Sequence, residues 1–307
     1  MKKILIYILL AVLLTIFIFK TDFDFSRILN MKPADFILLS LVILVSYLNS
    51  FFAIEIQFRM LEVKESPLNV ALLSLATNIL NYLPAKGGML SLGTFLKVKK
   101  KVPFNKFVFT TMLIYIVVTV ITLVLSLFFI FDDNMIYFYN QINFTYVTLF
   151  CLVSAVLTYI SYRIAKRNRD NKLSQYYLLF VSNRKMINEN KMNLLYTVLA
   201  IIAGITLFSV RMYISFGIAG MNISIYNAFL IGIIANLSFF LSFTPGGLGV
   251  KEGFVAGISY LLFADAGIGV VASLIDRAVN LLLTIITGTI AIKILDKRFF
   301  SKNTEEE

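Results

Sequence analysis

Three charged side chains lie deep inside apolar stretches of this sequence. Asp276 and Arg277 fall about ten residues into the last apolar run, a depth of roughly 15 Å along a helix, and Arg211 falls about eight residues, or roughly 12 Å, from the end of another. A charge at the centre of a membrane helix costs about 2.5–3.5 kcal/mol on insertion scales. These residues therefore need partners, a polar cavity or a ligand.

Two interpretations account for these charges. In the first, they neutralise one another, for instance Arg211 with Asp276 and Arg277 with Glu252, and lock helices together. In the second, at least one arginine faces a cavity and binds an anionic group, as a guanidinium binds phosphate bidentately. The two are compatible, because resting ion pairs can open when a substrate arrives. We take all four residues as candidate substrate-binding residues.

Two short breaks that contain proline and glycine interrupt the apolar sequence and supply further candidates. The first carries Pro84, Lys86, Gly87 and Gly88, and the second carries Pro245, Gly246, Gly247, Gly249, Lys251 and Glu252. Non-helical backbone at membrane depth is tolerated only where protein buries it or water reaches it, and helix N-termini favour anions. We predict that the two lysines contact substrate and that the prolines and glycines form hinges.

Four asparagines in the apolar stretches could line a polar path, namely Asn78, Asn81, Asn236 and Asn280. Asparagine also hydrogen-bonds membrane helices to one another, which is the commoner role for a single residue. The 29 Phe and 15 Tyr residues, with no Trp, are more typical of interface anchors and packing than of a ligand site.

Much enzyme chemistry is excluded by composition. The chain has no histidine and one cysteine, Cys151, which excludes Ser-His-Asp catalysis, histidine-ligated zinc and a disulfide framework. No nucleophile-base pair or carboxylate cluster for a metal stands out. We therefore expect no enzyme activity, no metal and no cofactor.

The hydrophobic content indicates an integral membrane protein. Of 307 residues, 59% are hydrophobic, against about 45–50% in soluble domains. The formal net charge is +11, but the basic residues lie between apolar runs, where membrane topology explains them better than nucleic-acid binding. We expect a single all-α domain over 1–307 in the cell (inner or plasma) membrane, with no nucleic-acid partner.

An α-helix needs about 20 apolar residues to cross a bilayer. By that rule, spanning helices are predicted near 4–19, 34–60, 104–131, 143–165, 193–219 and 266–295. The regions 68–96 and 224–264 instead contain two arms around a break. We predict a re-entrant hairpin for the first region and either a re-entrant hairpin or a full crossing for the second. About eight membrane elements with two interrupted hairpins result.

Lysine and arginine concentrate in two loops. The segment 97–106 carries five lysines and no acidic residue, and the segment 163–191 carries eight basic residues against two acidic ones. Basic loops of membrane proteins stay on the cytoplasmic side. Both loops and both termini are therefore predicted to face the cytoplasm.

The two halves of the chain, about 1–131 and 143–295, repeat one order of elements. Each runs helix, interrupted hairpin, long helix, at an offset of about 160 residues, and the basic loops put the hairpins on opposite sides. We predict an inverted repeat, an arrangement that in transporters surrounds a midplane substrate site. Chance similarity between the halves is the alternative.

The stretch from Thr244 to Gly253, together with the segment 272–277 and Gly288, resembles the lysylphosphatidylglycerol synthase transmembrane region, also called the flippase-like domain family. The resemblance covers nearly the whole chain. Family members fused to a cytosolic aminoacyltransferase domain make lysyl-phosphatidylglycerol and flip it to the outer leaflet. Because no hydrophilic stretch here is long enough for such a domain, the resemblance implies the lipid-translocating part without synthase activity.

The first break departs from the pattern of that family. In members of that family, the first break has the sequence proline, glycine, arginine, a small residue, glycine and glutamate, and another arginine follows three positions later. Here Lys86 substitutes for the first arginine, Met89 stands at the glutamate position and Leu92 at the second arginine position. Headgroup contacts are therefore expected to fall mainly on the second break and the last helix.

We accordingly expect a protein that moves a lipid with a phosphate-bearing headgroup between leaflets, with membrane lipids as its partners. One alternative is a non-catalytic membrane subunit that recruits a glycosyl- or aminoacyl-transferase through the basic loops. Another is an ion-coupled transporter of a small anion. The sequence indicates no particular oligomeric state.

Overall fold

The structure, a computed structural model, describes residues 31–83, 87–130, 189–241 and 245–299. All regular secondary structure in these residues is helical. The α-helices are α1 Pro33–Met60, α2 Pro67–Leu80, α3 Gly87–Lys99, α4 Phe104–Ile130, α5 Lys191–Ile218, α6 Ile225–Leu241, α7 Val250–Phe263 and α8 Ala266–Phe299, and a 3₁₀ turn at Pro245–Gly247 lies between α6 and α7.

Four of the described helices, α1, α4, α5 and α8, are long and apolar enough to cross a membrane. Their positions confirm the helices predicted at 34–60, 104–131, 193–219 and 266–295. The chain is therefore a multi-pass membrane protein of all-α class. The predicted helices near 4–19 and 143–165 lie outside the described residues.

The other four helices are shorter and lie in pairs around the two breaks. α2 and α3 have 14 and 13 residues, and α6 and α7 have 17 and 14, so each is about 20–26 Å long against a hydrocarbon core of about 30 Å. The start of α2 follows from its sequence: Pro67 is its first residue, and the Ser66 hydroxyl accepts a hydrogen bond from Asn69 N–H at 3.3 Å.

The main core lies where α1 and α5 pack side by side. Leu39 and Ile43 of α1 and Met212 and Phe216 of α5 are fully buried there. α8 approaches α2 closely at Gly288, where an added Cβ would lie 2.6 Å from Cβ of Ile79. The outward faces of the long helices keep many large apolar side chains exposed, as a surface in contact with lipid requires.

Basic side chains gather at one end of the molecule. Lys100 Nζ lies 2.5 Å from a carboxylate oxygen of Glu65, and Lys99 Nζ donates to the carbonyl of Phe299 at 2.7 Å. These contacts bring the loop before α2, the end of α3 and the end of α8 together. The lysine-rich segment 97–106 therefore belongs to the same end, called the basic end below.

Candidate functional site

The chain between α6 and α7 turns through glycines in the left-handed region. Gly246, Gly247 and Gly249 have φ angles of 59°, 70° and 81°, which glycine adopts without steric cost and residues with a side chain rarely adopt. The Glu252 carboxylate accepts a hydrogen bond from Gly249 N–H at 2.9 Å and so caps the first turn of α7. The second break is thus a turn formed by glycines and followed by the Glu252 cap of α7.

This second break contacts the end of α2 directly. Gly246 donates its N–H to the carbonyl of Asn81 at 3.1 Å. The ring of Tyr82 packs against the same glycine, where an added Cβ would lie 2.7 Å from Cδ1 of the ring. Asn280 of α8 donates to the Tyr82 hydroxyl at 3.2 Å. The residues before the first break therefore form one junction with the second break.

Arg211 of α5 and Asp276 of α8 form a bidentate ion pair. The Nε of Arg211 donates to Oδ1 at 2.7 Å and Nη2 donates to Oδ2 at 2.9 Å. Both residues are buried, with 8% and 2% of their surface exposed. Parallel charge-assisted bonds of this kind offset the cost of taking two charges out of water. The structure thus contains the first of the two pairs considered from the sequence.

Arg277 forms the second pair. Its Nε lies 2.5 Å from Oε1 of Glu252, and its Nη2 donates to the carbonyl of Gly246 at 3.2 Å. Its Nη1 is buried and finds no acceptor among the described residues. Because consecutive residues of an α-helix point about 100° apart, Asp276 and Arg277 reach different partners from one turn of α8. Arg277 therefore connects α8 to both ends of the second break.

Lys251 is the third cation of this charge cluster. Its Nζ lies 3.9 Å from Oδ2 of Asp276 and 3.7 Å from the centroid of the Phe208 ring, within cation–π range. The Lys251 side chain is 31% exposed, against 10% for Arg211 and 13% for Arg277. The cluster thus has three cations and two carboxylates, and Lys251 is its most accessible cation.

A cavity of about 650 Å³ lies beside the charge cluster. This volume falls within the range of about 300–1,000 Å³ that is usual for sites enclosing drug-sized ligands. Its wall is formed mainly by hydroxyl, amide and apolar side chains. The four asparagines predicted to line a polar path all line this cavity, namely Asn78, Asn81, Asn236 and Asn280. Two of them also bond neighbouring elements, since Asn236 donates to Thr122 at 2.9 Å and Asn280 to Tyr82.

The charged residues on the cavity wall are both cations. Within the described part of the chain, these are Arg211 and Lys251. The carboxylates of Asp276 and Glu252 lie behind the wall, and so does Arg277, whose guanidinium turns toward Glu252. A positive wall beside neutral polar groups suits an anionic ligand.

The cavity extends from the charge cluster toward the basic end. Tyr47 of α1 lines the cavity, and its hydroxyl is 2.7 Å from Oγ1 of Thr284. Gln57 lies about ten residues, or roughly 15 Å, further along α1, and donates to the Thr111 hydroxyl of α4 at 3.0 Å. All four residues line the cavity. Gln57 and Thr111 lie near the helix ends from which the lysine-rich segment is reached.

Five of the six predicted charged residues therefore meet in one cluster. The sixth, Lys86, lies outside the described residues, and so does Pro84. Gly87 and Gly88 form the start of α3, and a side chain at Gly88 would collide with the carbonyl of Thr77. These two glycines serve the close packing of α3 on α2.

Several residues of the site were not identified from the sequence. Ser46, Ser50 and Gln57 of α1 line the cavity, and their spacing of four and seven residues places them on one helix face, a signal that could have identified them. Phe208 and Tyr82 carry no comparable signal, because their roles depend on contacts with distant segments.

A family model described as lysylphosphatidylglycerol synthase TM region matches residues 4–288 of the chain. The match includes both breaks and the whole charge cluster. Comparison with curated proteins and with solved structures gave no significant match.

Proposed function

Because the chain belongs to the lysylphosphatidylglycerol synthase transmembrane region family, we propose that it moves a lipid with a phosphate-bearing headgroup between the leaflets of its membrane. The family connects the chain with lipid handling. The observation that carries the further step is the polar cavity with a cationic wall among apolar helices. A charged headgroup can cross the hydrocarbon core only along such polar groups.

Lys251 is the first headgroup contact in this proposal. Its ammonium lies on the cavity wall and shares the Asp276 carboxylate with Arg211. A phosphate that reaches Lys251 competes with Asp276 for both cations. Arg211 can then bind phosphate bidentately, as it binds the carboxylate at rest. The resting ion pair and the substrate site are thus two states of the same residues, and no enzyme chemistry, cofactor or further partner is involved.

The two pairs of short helices act as re-entrant hairpins that enter from opposite faces. Two observations support this arrangement together with the inverted repeat. α1 and α5 each have 28 residues, and every described element of the second half follows its counterpart by about 160 residues. In addition, α8 of the second half packs on α2 of the first, and α4 of the first half packs on α6 of the second. A pseudo-twofold axis that relates the halves predicts that each half packs its long helix on a short helix of the other.

Alternating access follows from that symmetry. The cavity extends toward the basic end, which we assign to the cytoplasm together with both termini. The charge cluster closes the path on the other side, because it connects α5, α7 and α8. A headgroup therefore enters from the inner leaflet, and the path to the outer leaflet opens when the two ion pairs exchange their partners for phosphate.

Leaflet exchange in liposomes tests this function. The purified protein is reconstituted with acyl-labelled phosphatidylglycerol, and the label accessible from outside is measured over time. Lys251→Ala should slow the exchange about tenfold or more, since a hydrogen bond to a charged group is worth about 1.5–3 kcal/mol. Lys97→Ala, which removes an exposed lysine of α3, is the matched control and should exchange at the wild-type rate.

The outcomes separate the candidate functions. Wild-type protein that exchanges no lipid faster than protein-free liposomes refutes lipid translocation. Uptake of inorganic phosphate by the same liposomes, without lipid exchange, indicates a transporter of a small anion. Equal rates for wild type and Lys251→Ala remove this lysine from the mechanism.

A further inference from the structure

We infer that the cavity selects lipids whose phosphate is joined to an uncharged, hydroxyl-bearing headgroup, and that it rejects headgroups with an ammonium group. This inference rests on the proposed lipid translocation and narrows it. It concerns the lining of the cavity rather than the fold. A lysyl-bearing lipid, which the name of the family suggests, is therefore among the lipids excluded.

The charges around the cavity carry the first step. The described lining contains Arg211 and Lys251 and no carboxylate. Each carboxylate of the cluster is already occupied: Asp276 accepts two bonds from Arg211, and Glu252 lies against Arg277 and caps α7. An ammonium group that enters the cavity while these ion pairs are closed would meet like charge, with no free counter-ion among the described lining residues, and this disfavours its entry.

The neutral part of the lining carries the second step. Ser46, Ser50 and Gln57 face the cavity from α1, Asn78 from α2 and Asn236 from α6. Hydroxyl and amide groups both donate and accept hydrogen bonds, so they match the hydroxyl groups of a glycerol or sugar. An ammonium group only donates hydrogen bonds, so it can use the acceptor atoms of these side chains but not their donor groups.

The size of the cavity carries the third step. A volume of about 650 Å³ corresponds to roughly 20 water molecules at about 30 Å³ each. A bare phosphate would leave most of this space to water. Because the cations lie at one end and the neutral polar groups along the rest, a phosphate with a hydroxylated extension uses both parts.

A lipid panel tests the selectivity. Four acyl-labelled probes are compared in the liposome assay: phosphatidylglycerol and phosphatidylinositol, with neutral hydroxylated headgroups, and phosphatidylethanolamine and lysyl-phosphatidylglycerol, with ammonium groups. The first two should exchange at least about tenfold faster than the last two, as like-charge contact predicts. If all four exchange at one rate, the inference is overturned while translocation stands. If none exchanges above background, translocation itself fails.

A charge placed on the cavity wall provides a second test. Ala53 of α1 lines the cavity, so Ala53→Glu adds a carboxylate there and Ala53→Gln adds a side chain of the same size without charge. The first variant should raise the rate for lysyl-phosphatidylglycerol relative to phosphatidylglycerol by about tenfold, and the second should leave the ratio unchanged. An unchanged ratio in folded Ala53→Glu, shown by size-exclusion chromatography, contradicts the inference.

Discussion

The two breaks, called the first and second tips below, differ far more than the short helices on either side of them. Both hairpins consist of two short helices of similar length, and the twelfth residue is asparagine in both α2 and α6, Asn78 and Asn236. Around the second tip, however, five charged residues form two buried ion pairs and a shared contact. The described residues of the first tip are neutral. The described residues of the two halves thus share an order of helices but differ in their charges.

Matching the helices by their starts shows what replaces one ion pair. Glu252 is the third residue of α7 and Arg277 the twelfth of α8, and the same positions of α3 and α4 are Met89 and Tyr115. The second pair of residues is also in contact, since the Tyr115 hydroxyl donates to Sδ of Met89 at 3.0 Å. A weak hydrogen bond therefore stands where the second half has an ion pair at 2.5 Å.

The other ion pair has no replacement. Arg211 is residue 21 of α5 and Asp276 is residue 11 of α8, and the same positions of α1 and α4 are Ala53 and Ile114. Both of these residues line the cavity, as do Met89 and Tyr115. The cavity is therefore lined both by these neutral residues of the first half and by Arg211 and Lys251 of the second. In this comparison, buried ion pairs occupy these positions in the second half, and neutral side chains that line the cavity occupy them in the first half.

The largest effect is expected from breaking an ion pair of the second tip. Asp276→Asn keeps the shape of the side chain but leaves Arg211 buried without its counter-ion, and the free energy of unfolding should fall by about 3–5 kcal/mol. Ile114→Asn, at the same helix position in the first half, faces the cavity and should cost less than about 1 kcal/mol. Equilibrium unfolding in mixed micelles measures both.

A double variant separates charge from packing at this pair. Arg211→Met with Asp276→Leu removes both charges and should recover most of the stability lost in Asp276→Asn, because buried ion pairs can be replaced by apolar side chains. It should not restore lipid exchange. A double variant as unstable as Asp276→Asn would show that packing, rather than an unpaired charge, causes the loss.

Substitution of one glycine should have the next largest effect. Gly246→Ala places a side chain at a φ of 59° and 2.7 Å from Tyr82, so the stability should fall by about 1–3 kcal/mol. Gly253→Ala changes the same motif where no atom beyond the neighbouring residues and backbone of its own helix lies within 4 Å of the new Cβ, and a helix gains from alanine there. Thermal unfolding in detergent compares the two, and an equal melting temperature for both variants would contradict the packing described at the junction.

Much of the frame and the pairing of the charges could be predicted from the sequence. Long apolar runs determine the long helices, and buried charges must find partners, which left few choices for Arg211 and Arg277. That Lys251 and Arg211 reach the cavity wall while Arg277 lies behind it could not be predicted, because it depends on how α5, α7 and α8 are rotated about their axes. The contact of Gly246 with Tyr82 could not be predicted either, because it joins segments that are far apart in the sequence and belong to different halves.

A charge pair built into the first half should change function more than stability. Met89→Glu with Tyr115→Arg reproduces the second-half pair at the same helix positions, on the wall of the cavity. The new pair should narrow the cavity toward the basic end and slow lipid exchange by about tenfold, equivalent to about 1.4 kcal/mol. The rate at which a thiol reagent labels Gln57→Cys, in a Cys151→Ser background, should fall in parallel. Unchanged exchange and labelling would show that the charge difference does not set which side is open.

The smallest effect concerns an ion pair at the basic end, which contrasts with the buried pairs. Partial burial raises the pKa of the Glu65 carboxyl, but contacts from Lys100, Asn69 and Ser66 outweigh this and hold the pKa below its usual range. A pKa lower in the folded than in the unfolded state stabilises the fold above the unfolded value, near 4.5, and this stabilisation is lost as the pH falls through the folded value.

Glu65→Gln removes this contribution and should lower stability at neutral pH by no more than about 1 kcal/mol, as is usual for ion pairs near the surface. The difference between wild type and Glu65→Gln should shrink as the pH is lowered from about 6 to about 3 in thermal unfolding measurements. A difference that stays constant over this range would mean that the carboxylate charge is not what stabilises this end. A loss as large as that of Asp276→Asn would remove the contrast between the ion pair at the basic end, where Lys100 is 25% exposed, and the more deeply buried pairs around the second break.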